Sequence, residues 1–80
     1  MTRENVFERL NEVFQDVFDD EEIVVTDMTT ADDIEDWDSL EHINLIVAVE
    51  KCFNIKFSMP EVSSMKNVGD MVNIIIERAQ

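Results

Sequence analysis

Asp36-Trp37-Asp38-Ser39-Leu40-Glu41, running on into His42-Ile43-Asn44-Leu45-Ile46-Val47-Ala48-Val49-Glu50, is the stretch whose reading decides the fold. Its apolar residues recur at helical spacing, and a serine stands where the pattern begins. Asp38 can serve as N-cap and Glu41, three residues on, as its reciprocal partner, a capping-box arrangement that fixes where the helix starts. Ser39 then falls at the first helical position and is the candidate site. The helix is expected over Ser39 to about Phe53, and it has two apolar faces. Leu45, Ile46, Val49, Cys52 and Phe53 form the core face, whereas Leu40, Ile43 and Val47 project to nearly the opposite side among Glu41, Asn44, Glu50 and Lys51. A short apolar stripe rimmed by charge, beside a reactive residue, suits transient partners. Its plainer use is to cover a loop or the short helix that follows.

Toward the N-terminus, Val6, Phe7, Leu10, Val13, Phe14, Val17 and Phe18 share one stripe at about 100° per residue. Thr2 is the expected N-cap of that first helix, and its end is expected near Asp19. From Asp16 through Glu41 the chain holds twelve acidic residues and no Lys or Arg, a bias typical of disordered tails. Ile23, Val24, Val25, Met28 and Ile34 interrupt it as expected anchors to the core, with Ile23 to Thr26 read as a short extended piece. A connection of nearly twenty residues in so small a domain points to function or mobility. Beyond the second helix, Ser58-Met59-Pro60-Glu61 predicts a short helix through about Met65. Asn67 with Asp70 opens the last helix, in which Val68, Met71, Val72, Ile75, Ile76 and Ala79 share a face and Ile74 lies off it. The expectation is an all-α fold with three longer helices and one short one.

Eighty residues allow one small domain with one core, 1–80. One Gly, one Pro and no Tyr leave little turn chemistry for a many-stranded sheet. The formal charge is −13, which repels nucleic acid and anionic membranes and favours protein partners with basic patches. The lone Cys52 cannot form an internal disulfide, and no charged-then-apolar leader opens the chain, so a reducing cytoplasm is the expected compartment. No apolar run is long enough to span a bilayer. Because the chain begins with Met and stops with its last helix, a free-standing protein is expected; a monomer is expected as well.

These residues resemble the acyl carrier proteins, four-helix domains whose serine accepts a 4'-phosphopantetheine arm from coenzyme A. Asp38-Ser39-Leu40 looks like that family's attachment motif. The likeness continues through the second helix, Phe53-Asn54-Ile55-Lys56-Phe57, Met59-Pro60-Glu61-Val62 and Val68-Gly69-Asp70-Met71-Val72. It implies a four-helix bundle of acyl-carrier type, Ser39 as the attachment residue and Asp38 as the acidic neighbour presented to the phosphopantetheinyl transferase. Leu40, Glu41, Ile43, Val47 and Glu50 fall where the family contacts acyl-loading ligases, transferases and synthases of fatty-acid, polyketide or related lipid metabolism. The chain departs from the family at Glu35-Asp36-Trp37, which holds one extra residue and a bulky indole where many relatives carry Gly and a small residue just before the Asp-Ser pair. Asn44 and Lys51 stand where many relatives carry acids, which favours a specialised pathway over a generic fatty-acid synthase. His42 points toward the core side, near where an acyl cavity opens in relatives that sequester cargo, and reads as a surface or half-buried polar residue.

A phosphodiester on Ser39 would lie by the unpaired N–H groups of a helix start, which favour an anion by roughly 0.3–1 kcal/mol. Asp38 and Glu41 oppose that anion and so read as recognition by a basic partner. A carrier makes no bonds itself, so no catalytic residue and no metal ligand is expected. Ser39 and His42 superficially offer a hydrolase pair, but no nucleophile-elbow glycines surround the serine. The acidic loop lacks the EF-hand spacing and its central Gly. The alternatives are an aminoacyl or peptidyl carrier, and an acidic helical adaptor with no prosthetic group.

Overall fold

Each helix begins at a short polar side chain that takes up an otherwise unpaired N–H, as the sequence requires. In the computed structural model, which describes residues 2–79, Thr2 Oγ1 accepts from Asn5 N–H at 3.1 Å and starts α1 (Arg3–Phe18). Asp38 starts α2 (Ser39–Phe53). Ser58 and Glu61 cap α3 (Met59–Ser64) reciprocally, and Asn67 caps α4 (Val68–Arg78). Asp19 and Asn54 end α1 and α2 in the left-handed region, at φ 50° and 56°, a conformation that short polar side chains tolerate. The described residues form four helices, three of them long, and a single 3-10 turn at Ala31–Asp33.

α1 packs against α2 and α4, because each lays an apolar stripe toward the others. Val6, Leu10, Phe14, Leu45, Val49, Val68, Val72 and Ile75 lose all contact with water. Phe7 and Val17 flank that core half-buried, as does Cys52 at the edge of the core face of α2. Arg9 extends along this edge, donating to the Cys52 carbonyl at 3.0 Å with its guanidinium over the Phe53 ring.

The acidic connection between α1 and α2 is held by side chains and helix ends rather than by strand pairing. Residues 23–26 are irregular, with no strand among the described residues to receive them. Asn11 Oδ1 accepts from Val25 N–H at 2.6 Å, and Gln15 Nε2 donates to the Ile23 carbonyl at 2.9 Å. The start of α4 completes the attachment: Val68 N–H donates to the Thr29 carbonyl at 2.8 Å and Gly69 N–H to that of Asp27 at 3.1 Å. Arg3 adds an ion pair to Asp27. Val25 is buried, and Ile23 and Ile34 pack on the core. Val24 and Met28 correct the expectation that all five apolar residues anchor the loop, since they are 70% and 78% exposed. The backbone on either side is already fixed by Asn11 and Thr29, and their side chains are turned outward.

α3 buries no residue. It is held by its cap, by Val62 and Met65 against the core, and by Arg78, whose Nη1 donates to Glu61 Oε1 at 2.6 Å and whose Nη2 pairs with Oε2. The backbone N–H of Ser58 donating to Glu61, aided by the Ser58 hydroxyl and Arg78, holds this carboxyl below its ordinary 4.5. The folded state therefore binds fewer protons there than the unfolded chain, so this contribution is present above pH 4.5 and is lost as pH falls through the lower folded value.

Three outcomes are expected. Phe14→Ala removes a fully buried ring and should cost about 3–5 kcal/mol, lowering the melting temperature by at least about 12 °C in a domain of this size; an unchanged melt by circular dichroism would refute this core. Gly69→Ala should destabilise in urea titrations, although alanine usually favours a helix, because the new Cβ would lie 2.9 Å from the Asp27 carbonyl oxygen. Glu61→Gln should bring the melts of variant and parent closer together below pH 4.5 than at pH 7, and a gap that widens on acidification would contradict the tie.

Candidate functional site

The site is built where the loop turns into α2. Trp37 N–H donates to the Ile34 carbonyl at 3.1 Å and Asp38 N–H to that of Asp36 at 3.0 Å, folding the chain tightly before the helix. Asp38 Oδ1 then accepts from Glu41 N–H at 2.8 Å, and the Asp38 carbonyl accepts from His42 N–H at 2.8 Å. The expected capping box is thus half made. Glu41 does not reach back, because the Asp38 N–H is already given to Asp36 and the Glu41 carboxylate instead accepts from Asn44 Nδ2 at 3.1 Å. Ser39 stands in the first turn of α2 with its side chain exposed, as do Asp38 and Leu40.

Beneath this turn lies Trp37, whose part in the core the sequence reading missed. Its ring meets Phe14 edge-on at 5.3 Å between centroids and lies 6.3 Å from Phe18. The indole Nε1 donates to His42 Nδ1 at 3.0 Å. His42 is half-buried, and no hydrogen bond joins it to Ser39 among the described residues, so the two do not form a nucleophile–base pair. The bulk of the indole was the available signal: a large apolar ring next to a capped serine has to be covered by something.

Ser39, Asp38, Trp37 and His42 line one side of an open cavity of about 440 Å³, with Val62 and Ser63 of α3, Met65 just after it, and Lys66, Asn67 and Met71 near the start of α4 on the others. A long, flexible group tethered to Ser39 therefore has room beside its point of attachment as well as a free path into solvent. On the outer face of α2, Leu40, Ile43 and Val47 are 67%, 60% and 44% exposed and share one face, spanning about 10 Å along the axis at 1.5 Å per residue. Glu41 borders them, half-buried. Glu50, also expected on this face, is half-buried and its Oε2 accepts from Phe57 N–H at 2.8 Å, so it ties down the chain after α2. Among the described residues no helix is long and apolar enough to cross a membrane.

No family model matches the chain. An acyl carrier protein of Petrotoga mobilis is 34% identical over 79 residues, covering 98% of this chain and 92% of the relative. One of Coprothermobacter proteolyticus is 33% identical over 76 residues, 94% of this chain and 92% of its own. The solution structure of a holo acyl carrier protein from Geobacter metallireducens is 44% identical and superimposes with a TM-score of 0.86, covering 91% of this chain and 84% of that one. Near-full coverage in both directions, together with a capped, exposed serine at the head of the second helix, places this four-helix chain in the acyl carrier protein family: it is a carrier and not an enzyme, and its prosthetic group is 4'-phosphopantetheine.

Proposed function

We propose that Ser39 is the residue that bears the phosphopantetheine, within one carrier domain that delivers acyl groups to enzymes of fatty-acid, polyketide or related biosynthesis. The observation that carries this reading is the exposed side chain of Ser39 in the Asp38-capped first turn of α2, beside a cavity with room for the arm. In the loading reaction the serine oxygen displaces 3',5'-ADP from coenzyme A, giving up its proton and gaining a phosphodiester. The bound group supplies a thiol on which cargo rides as a thioester.

The residues around Ser39 divide the remaining work. Asp38 fixes the turn through the Glu41 amide and presents a carboxylate to a basic transferase. The exposed stripe of Leu40, Ile43 and Val47 offers apolar contact to the enzymes that load and unload cargo, bordered by Glu41. With a net charge of −13, encounter with basic surfaces is fast, and charge complementarity raises association rate more than affinity. Quick exchange between partners is what a shuttle requires. The reducing cytoplasm is the compartment that suits the lone, half-buried thiol of Cys52.

Incubation with coenzyme A and a broad-specificity phosphopantetheinyl transferase should add the mass of one phosphopantetheine, and Ser39→Ala should abolish the gain. An unchanged mass with several transferases would instead favour an acidic adaptor. Ile43→Asp should lower kcat/KM for loading by about 10-fold or more, since losing burial of one large aliphatic side chain at an interface costs about 1.5–3 kcal/mol. Its melt should stay unchanged because the side chain is 60% exposed; equal loading rates would remove this stripe from the recognition face.

A further inference from the structure

The pairing of Trp37 with His42 is not needed to expose a serine, and both residues face the cavity that Ser39 borders. They are the lone tryptophan and the lone histidine of the chain. An indole N–H can donate but not accept, so a donation to Nδ1 requires that nitrogen to be unprotonated, and the neutral ring then carries its proton on Nε2. That second nitrogen has no protein partner among the described residues, yet no buried side-chain nitrogen or oxygen there lacks one. Nε2 therefore meets solvent, on a half-buried ring whose other nitrogen is fixed by Trp37. The indole is itself backed by Phe14 and Phe18, which makes the imidazole a rigid donor rather than a free rotor.

Across the cavity, Val62 and Met65 supply apolar surface. The ligand that fits this combination has an oxygen acceptor for the imidazole N–H and aliphatic bulk for Val62, Met65 and the indole. It must also lie within a few ångströms of Ser39. The pantetheine arm has this chemistry in its proximal part, with a geminal dimethyl, a hydroxyl and an amide carbonyl.

We propose that Trp37 and His42 form a docking site for the proximal part of the arm, with His42 Nε2–H donating to one of its oxygens and the indole covering its geminal methyls. This rests on Ser39 bearing the arm and goes beyond it by assigning two side chains to hold the arm against the protein between deliveries. Trp37 acts as the positioning residue and His42 as the binding one.

The test uses the full chain, isotopically labelled, before and after loading with coenzyme A and a transferase, with intact mass reporting the extent of loading. Expected on full loading are a shift of the single indole N–H resonance, a shift of the His42 ring nitrogens, and nuclear Overhauser contacts between the arm's methyl protons and the Trp37 ring. In His42→Ala those contacts should be lost although mass still shows one arm attached. His42→Gln, which keeps an N–H donor, should restore part of them and guards against a simple packing defect. Full loading with unmoved indole and imidazole signals and no contacts would overturn the docking site while leaving the Ser39 assignment intact. No gain in mass would overturn both.

Discussion

The edge-on contact of the Trp37 indole with the Phe14 ring joins the hydrophobic core to the turn that presents Ser39. Phe14 is fixed because α1 and α2 bury their stripes against each other, with Leu10, Leu45 and Val49 sealed from water. Trp37 stands on that platform two residues before the serine. Asp38, between them, closes the helix start by accepting the Glu41 amide. Core packing therefore sets the position of the tip, and the cap sets its direction. A serine on a loose loop would offer the same hydroxyl without a fixed surface around it for an enzyme to read.

The long acidic connection follows from the same constraint. Self-repulsion among its carboxylates favours an extended, solvated chain, and order comes from directed hydrogen bonds where it crosses α1 and the start of α4. Asn11 and Gln15 lie at the margins of the α1 stripe and hold the loop backbone, while Val68 and Gly69 supply N–H groups that their own helix cannot use. The absence of a side chain at Gly69 lets the Asp27 carbonyl come close enough to accept one of them. α3 has no fully buried residue and is held by Val62 against the core and by the Glu61–Arg78 pair, forming one wall of the cavity beside Ser39.

Much of this is legible in the amino-acid sequence. The period of the apolar residues gave α1, α2 and α4 nearly to the residue, because one-sided burial leaves a regular imprint on a helix, and the cap residues Thr2, Asp38, Ser58 and Asn67 marked the starts. The two-faced character of α2 correctly divided Leu45, Ile46 and Val49 from Leu40, Ile43 and Val47. What was not legible lies where no period operates. Trp37 and His42 are joined across a helix start, so neither periodicity nor a capping rule relates them. Val24 and Met28 have the composition of anchors, but an irregular backbone sends adjacent side chains in directions that composition does not encode. Glu50 looks like a surface acid from its place in the pattern, and its bond to the Phe57 amide depends on the fold of the chain beyond α2.

On the proposed assignment of Ser39, carrier function reduces to the surroundings of one exposed serine: it stands in the first turn of a capped helix, backed by aromatic rings, with an apolar stripe on one side and a cavity on the other. The most direct check is a phosphorus–proton correlation spectrum of the loaded protein. The account predicts a scalar correlation between the phosphodiester phosphorus and the Hβ protons of Ser39. A correlation to Ser58, Ser63 or Ser64 would contradict it.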